Sequence, residues 1–138
     1  MSWLAYAFVA AVAAAATAIL SKLGVEGVPP TLATAVRTIV VGVIAWLMVL
    51  GLGEQRSVAE LSRRTMVFLA LSGVATAVSW LAYFRALQMA PASWVAPIDK
   101  LSLPLTIVLA AIFLREPLTW QLSVGVALMV VGAAVTQL

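Results

Sequence analysis

An aspartate and a lysine stand side by side, Asp99-Lys100, in a stretch from Ala92 to Leu114 that holds no other charge. A charge deep in a bilayer costs at least ~2.5–3.5 kcal/mol on insertion scales, so such residues face protein or water. Three readings of the pair are open. It can be a substrate site, a structural ion pair of Asp99 with Arg37 or Arg85, or a pair that snorkels to the interface. Arg37, Arg85 and Lys100 are the cations available to Asp99, and a neighbouring cation favours the ionised carboxylate. Asp99 is therefore expected to be a paired ion and a poor proton carrier near neutral pH. Pro104 adds a second signal. A proline inside a helix removes the bond to the carbonyl four residues back, here that of Lys100. The expected helix kink at Pro104, with its freed acceptor, falls beside the charged pair. Transporters often place broken helices where substrate binds, and the competing reading is a kink that serves packing alone. Pro97 is less telling, because it falls in a first turn whose donors lack partners anyway.

Polar residues recur at helical spacing. Ser72, Thr76, Ser79 and Tyr83 share one helix face, and Asp99, Ser102 and Thr106 share another. Tyr6, Ala10, Ala14, Thr17 and Ser21 form a small-to-polar stripe. Such stripes suit a hydrated cavity, and they equally suit close helix packing. Trp80, Tyr83 and Phe84 supply aromatic surface that reads as a substrate wall or as interfacial anchors. Gly125 and Gly132 read as packing positions. Cysteine and histidine are absent, which excludes thiolate, disulfide and soft-metal chemistry. No cofactor or metal is expected. No phosphate loop or catalytic triad occurs, so an enzyme reading has no residues to stand on. The net charge of +3 is weak evidence for a polyanion, and no nucleic acid partner is expected.

The elements that position these residues follow from composition. Of 138 residues, 64% are apolar and 9% charged, too few charges to dress a soluble surface. Uncharged runs cover residues 1–21, 65–84 and 117–138, each long enough for a helix across a ~30 Å hydrocarbon core. The first run lacks the basic start of a signal peptide. Five transmembrane helices are predicted, over residues 3–23, 31–52, 65–88, 93–114 and 119–138. Gly24 is the expected stop of the first, Pro29-Pro30 break before the second, and Pro91 ends the third. Ser57 and Glu60 have capping-box spacing in the polar loop 53–64, which predicts a short interfacial helix. Trp3, Trp94 and Trp120 fall at helix starts, where amphipathic rings prefer to sit. The fold expected is an all-α membrane protein, one domain over residues 1–138. Connectivity then draws Lys22, Arg37, Arg85, Asp99 and Lys100 toward one leaflet.

From Tyr83 onward the runs YFRALQMAPAS, VAPIDKLSLPLTIVLAAIFLREPLT and GVALMVVGAAV resemble the EamA-type repeat of the drug/metabolite transporter superfamily. The shared features are an aromatic-rich third helix closing on an Ala-Leu step, a proline-bearing fourth helix, a Glu-Pro turn and a G-x-x-L-x-x-x-G fifth helix. Lys22 and Arg37 fit as well, so the likeness spans essentially the whole chain. It implies half of a ten-helix inverted-repeat transporter fold. Family members usually carry two repeats where this sequence has one, which implies a homodimer as the smallest complete transporter. The likeness also implies that the first, third and fourth helices line the path. The small multidrug exporters are distant relatives that carry a glutamate midway along the first helix. Here Ala13-Ala14-Ala15-Ala16 stands there, so their proton-for-cation chemistry is not expected.

The expectation is a multi-pass inner-membrane secondary transporter of small metabolites. Lys22, Arg37, Arg85 and Lys100 against Glu26 and Asp99 leave that leaflet net positive, which leans toward substrates with a carboxylate, amino acids or related compounds, over lipophilic cations. A non-transporting membrane scaffold and a lipid-handling protein are the alternatives. The loop charges are too evenly split to enforce one orientation, which predicts insertion both ways and an antiparallel pair; the alternative is a parallel dimer with the N-terminus inside, which the loop arginines mildly favour.

Overall fold

The computed structural model describes residues 2–138, and among these every regular element is helical. In order they are α1 (Trp3–Gly24), α2 (Pro30–Gly51), a 3₁₀ helix (Glu54–Glu60), α3 (Arg63–Met89), α4 (Ala92–Asp99), α5 (Ser102–Leu109) continued by a π-helical turn (Ala110–Leu114), and α6 (Trp120–Val135). Among the described residues four spans are long and apolar enough to cross a membrane: α1, α2, α3 and the composite Ala92–Leu114. The predicted fifth span is shorter than expected. α6 has 16 residues, and at 1.5 Å per residue it reaches about 24 Å, against a hydrocarbon core of ~30 Å.

The chain divides into two compact units, Leu20–Gln88 and a second made of Met1–Ile19 with Met89–Leu138. In the first, Pro29 precedes α2 and Pro30 opens it, where a missing N–H costs no helical bond. The connection from α1 turns at Val25–Val28, closed by the Val28 N–H on the Val25 carbonyl at 3.3 Å. Gly27, third in that turn, has φ 71°, which only glycine adopts at little cost. Gly24 ends α1, the stop expected there, without adopting a left-handed φ. The capping box is not formed either. The 3₁₀ helix starts at Glu54 behind Gly53 and has no side-chain cap, so Ser57 lies inside it. The side chain that caps is Ser62, whose hydroxyl accepts from the Thr65 N–H at 3.1 Å, so α3 begins two residues before its predicted start.

Packing in this unit gathers at one end. Leu87, Val25 and Phe84 are 0%, 1% and 3% exposed, and Thr34 is buried as well. The flanks of α2 and α3 away from that end are exposed, as apolar faces meeting lipid are. Against hydrocarbon tails there is no hydrophobic gain from covering them with protein.

In the second unit, α4 and α5 are separated at Lys100 and Leu101. The break lies one turn before Pro104, which has no N–H to offer the Lys100 carbonyl. That carbonyl is not left free, as had been expected; it accepts from the Leu103 N–H at 3.0 Å in a 3₁₀-type bond. The composite helix stops at Arg115, in the left-handed region at φ 56°, a conformation costing a non-glycine residue roughly 1–2 kcal/mol. The Glu116 N–H reaches back to the Ala110 carbonyl at 3.4 Å and closes the end. Thr119 caps α6 by accepting from the Leu122 N–H at 3.3 Å. Gln137 donates to the Trp94 carbonyl at 3.1 Å, so the end of α6 meets the start of α4, and the two run antiparallel. Pro104 and Ala133 are the buried residues here.

Candidate functional site

Arg37 is the eighth residue of α2, about 10 Å along the axis from its start. Trp80 and Phe84 are one turn apart on α3 and so share a face. The Arg37 guanidinium carbon sits 4.1 Å from the centre of the Trp80 ring and 5.7 Å from that of Phe84. Such stacking contributes about 0.5–2 kcal/mol, more as water is excluded. It holds the guanidinium over the aromatic pair without an acceptor, so the contact uses up none of the N–H groups. Among the described residues Arg37 has no ion pair and no hydrogen-bond acceptor. No buried side-chain nitrogen is left unpartnered there, so the Arg37 donors open onto accessible space. That space is a cavity of about 380 Å³ lined by Ser21, Gly24, Val25, Val28, Leu32, Ala33, Val36, Arg37 and Phe84. Arg37 is its one charged residue.

A second, polar cavity of about 430 Å³ adjoins the turn between α1 and α2, lined by Lys22, Glu26, Gly27, Val28, Pro29, Pro30, Arg85 and Gln88. Its walls are tied together by side chains. The Gln88 amide donates to the carbonyls of Val28 at 2.6 Å and Val25 at 3.0 Å, while its oxygen accepts from Arg85 at 3.3 Å. Lys22 donates to the Leu87 carbonyl at 2.6 Å. This is a favourable place for a cation, because the last carbonyls of a helix lack intrahelical partners and carry its negative end.

In the other unit Asp99 and Lys100 pair at 3.1 Å, their side chains 34% and 56% exposed. Of the partners considered for Asp99, Lys100 is the one the structure supplies. Arg37 is on Trp80 and Arg85 on Gln88. Thr106 donates to the Ser102 carbonyl at 2.8 Å and Thr76 to the Ser72 carbonyl at 2.9 Å, so each threonine hydroxyl proton is used within its own helix. Ser72, Thr76, Ser79, Ser102 and Thr106 are exposed, and neither cavity is lined by them. Tyr83, beside Phe84 with ring centres 6.4 Å apart, is half-buried.

Residues 1–138 match the EamA-like transporter family along their whole length. The chain belongs to that family. A Sinorhizobium protein described as an uncharacterized transporter in the cobO 3′ region is 42% identical over 132 residues, covering 96% of this chain and 94% of that one. No solved structure matches the chain. An EamA-like chain with four long apolar helices is a multi-pass membrane protein, and its family is one of transporters rather than enzymes.

Within this EamA-like chain, Arg37 and Trp80 were legible as candidates from the sequence, though as an ion-pair partner and a wall. Gln88 was missed. Its signal was present: an amide three residues after Arg85 and three before Pro91, at a helix end where loop carbonyls need donors.

Proposed function

We propose that this EamA-like protein is a secondary transporter that carries small metabolites with a carboxylate across the inner membrane. The observation that carries this reading is Arg37: a guanidinium without an acidic partner among the described residues, seated over the Trp80 ring, at the wall of a mostly apolar cavity. An intramembrane cation of this kind marks a substrate or ion path by default, and a guanidinium fork matches a carboxylate. In this reading α6 is the fifth span, completed by the uncharged residues on either side of it.

The working unit is a homodimer whose protomers insert oppositely. Arg56, Arg63, Arg64 and Arg115 stand on one side against Lys22 and Arg85 on the other, a bias too small to impose a single topology. Counterflow in sealed proteoliposomes tests the function. Vesicles preloaded with a mixture of carboxylate metabolites should accumulate a labelled one only when the protein is present. Equal uptake by empty vesicles across such a panel would reject transport of this class.

A further inference from the structure

We infer that the Arg37 cavity selects organic acids bearing a single carboxylate on an apolar body, and that it discriminates against zwitterionic amino acids of the same skeleton. The inference rests on the transport reading above only in treating the cavity as a site on the path. Binding itself is independent of that. One cation supplies charge here, and its N–H edge is accessible without an acidic partner among the described residues. A monocarboxylate neutralises it and takes two parallel hydrogen bonds. Apart from Ser21 and Gly24, the rest of the wall is Val25, Val28, Leu32, Ala33, Val36 and Phe84, which favours an aliphatic or aromatic body.

An α-ammonium group has no such match. No aspartate or glutamate lines the cavity; Glu26 lines the neighbouring one. An ammonium brought among these side chains would lose water without gaining a carboxylate, and Arg37 would repel it. Dianions are disfavoured for the complementary reason. Their second charge would require a second cation, and Lys22 and Arg85 line the other cavity. A volume of about 380 Å³ lies near the lower end of the range of ~300–1,000 Å³ for small-molecule sites. That size favours a water-borne metabolite over a long acyl chain from the bilayer.

The test is calorimetric titration of the purified, detergent-solubilised protein with ligands of one skeleton: 4-methylpentanoate, leucine and 4-methylpentan-1-ol. The acid should bind at least about tenfold more tightly than either of the others, a margin well resolved by titration. Leucine binding as tightly as the acid would overturn the selectivity, and the alcohol doing so would overturn the role of charge. Dodecanoate separates the two sources of a carboxylate. It should bind no more tightly than 4-methylpentanoate, and a steep gain with chain length would assign the cavity to lipid instead. Arg37→Gln should abolish the preference for the acid over the alcohol, and Arg37→Lys should keep part of it, because the charge survives while the two-pronged guanidinium fork is lost. Should Arg37→Gln fail to fold, Arg37→Lys and the ligand series still decide. Acid binding without counterflow would sink the transport reading alone. Counterflow of leucine without acid binding would sink this inference alone.

Discussion

Gln88 serves the polar cavity as both donor and acceptor. Its amide holds the turn between α1 and α2 against the end of α3 by the Val28 and Val25 carbonyls. Leucine has nearly the same volume and no donors. Gln88→Leu is expected to lower stability by about 1–3 kcal/mol, chiefly through the Val28 carbonyl. The Val25 carbonyl keeps a bond from the Val28 N–H. Gln88→Glu should cost more, because an ionised carboxylate offers acceptors alone to carbonyl oxygens. Thermal melting in detergent reads both variants, and a parent-like melt for Gln88→Leu would show the clamp to be idle. Asp99 is the opposite case. Its pair with Lys100 is a third or more exposed on both sides, so the pair contributes at most ~1 kcal/mol. Asp99→Asn should therefore melt as the parent does. If Asp99 lies on the transport path, counterflow falls; a folded variant with full transport removes it from the path.

At the scale of elements, the composite helix Ala92–Leu114 is the one that departs from regular geometry. Its break comes at Lys100-Leu101, and the Lys100 carbonyl is satisfied by the Leu103 N–H, so the interruption leaves no buried acceptor stranded. Pro104→Ala supplies the missing N–H at position 104. The variant is expected to run α4 into α5, gain about 1 kcal/mol or more in stability, and transport several-fold more slowly while inserting normally. Proteoliposome rates and thermal melts together check this. Unchanged transport would assign the break to packing. The exposed side chains of Ser72, Thr76, Ser79, Ser102 and Thr106 bear on the same scale. The two threonine back-bonds let hydroxyls sit on lipid-facing or helix-facing surfaces at little cost, so a hydroxyl stripe by itself does not locate a cavity.

At the scale of the whole molecule, the proposed antiparallel homodimer depends on a weak charge bias among the loops. A cysteine at Ser57, in the exposed 3₁₀ helix, is expected to react with a membrane-impermeant maleimide from both faces of the membrane in a chain free of other cysteines. Labelling from the cytoplasmic face alone rejects the antiparallel pair and leaves a parallel one. Moving the bias by adding arginines to one side's loops should make the labelling one-sided.

Composition and breaker residues were enough to determine that this is a helical membrane protein and where most of its helices stop. Lipid leaves an unpaired backbone nowhere to go, and Pro29-Pro30, Pro91 and Pro104 act through bonds to residues a few positions away. Family membership was legible for the same reason, since its motifs are local. What sequence could not rank were features that depend on how helices meet. Arg37 had Asp99 as a formal partner, yet it lies on Trp80, because the register of α2 against α3 sets its neighbours. Ser57 and Glu60 had the spacing of a cap, yet the loop turned earlier, at Gly53, and Ser62 capped the next helix. Gln88 is marked by sequence only as a polar helix end, and its partners are set by the turn at Val25–Val28 folding against it. A side chain's partner is decided by whatever the tertiary fold brings within about 3 Å of it, and sequence spacing fixes that only within a single helix.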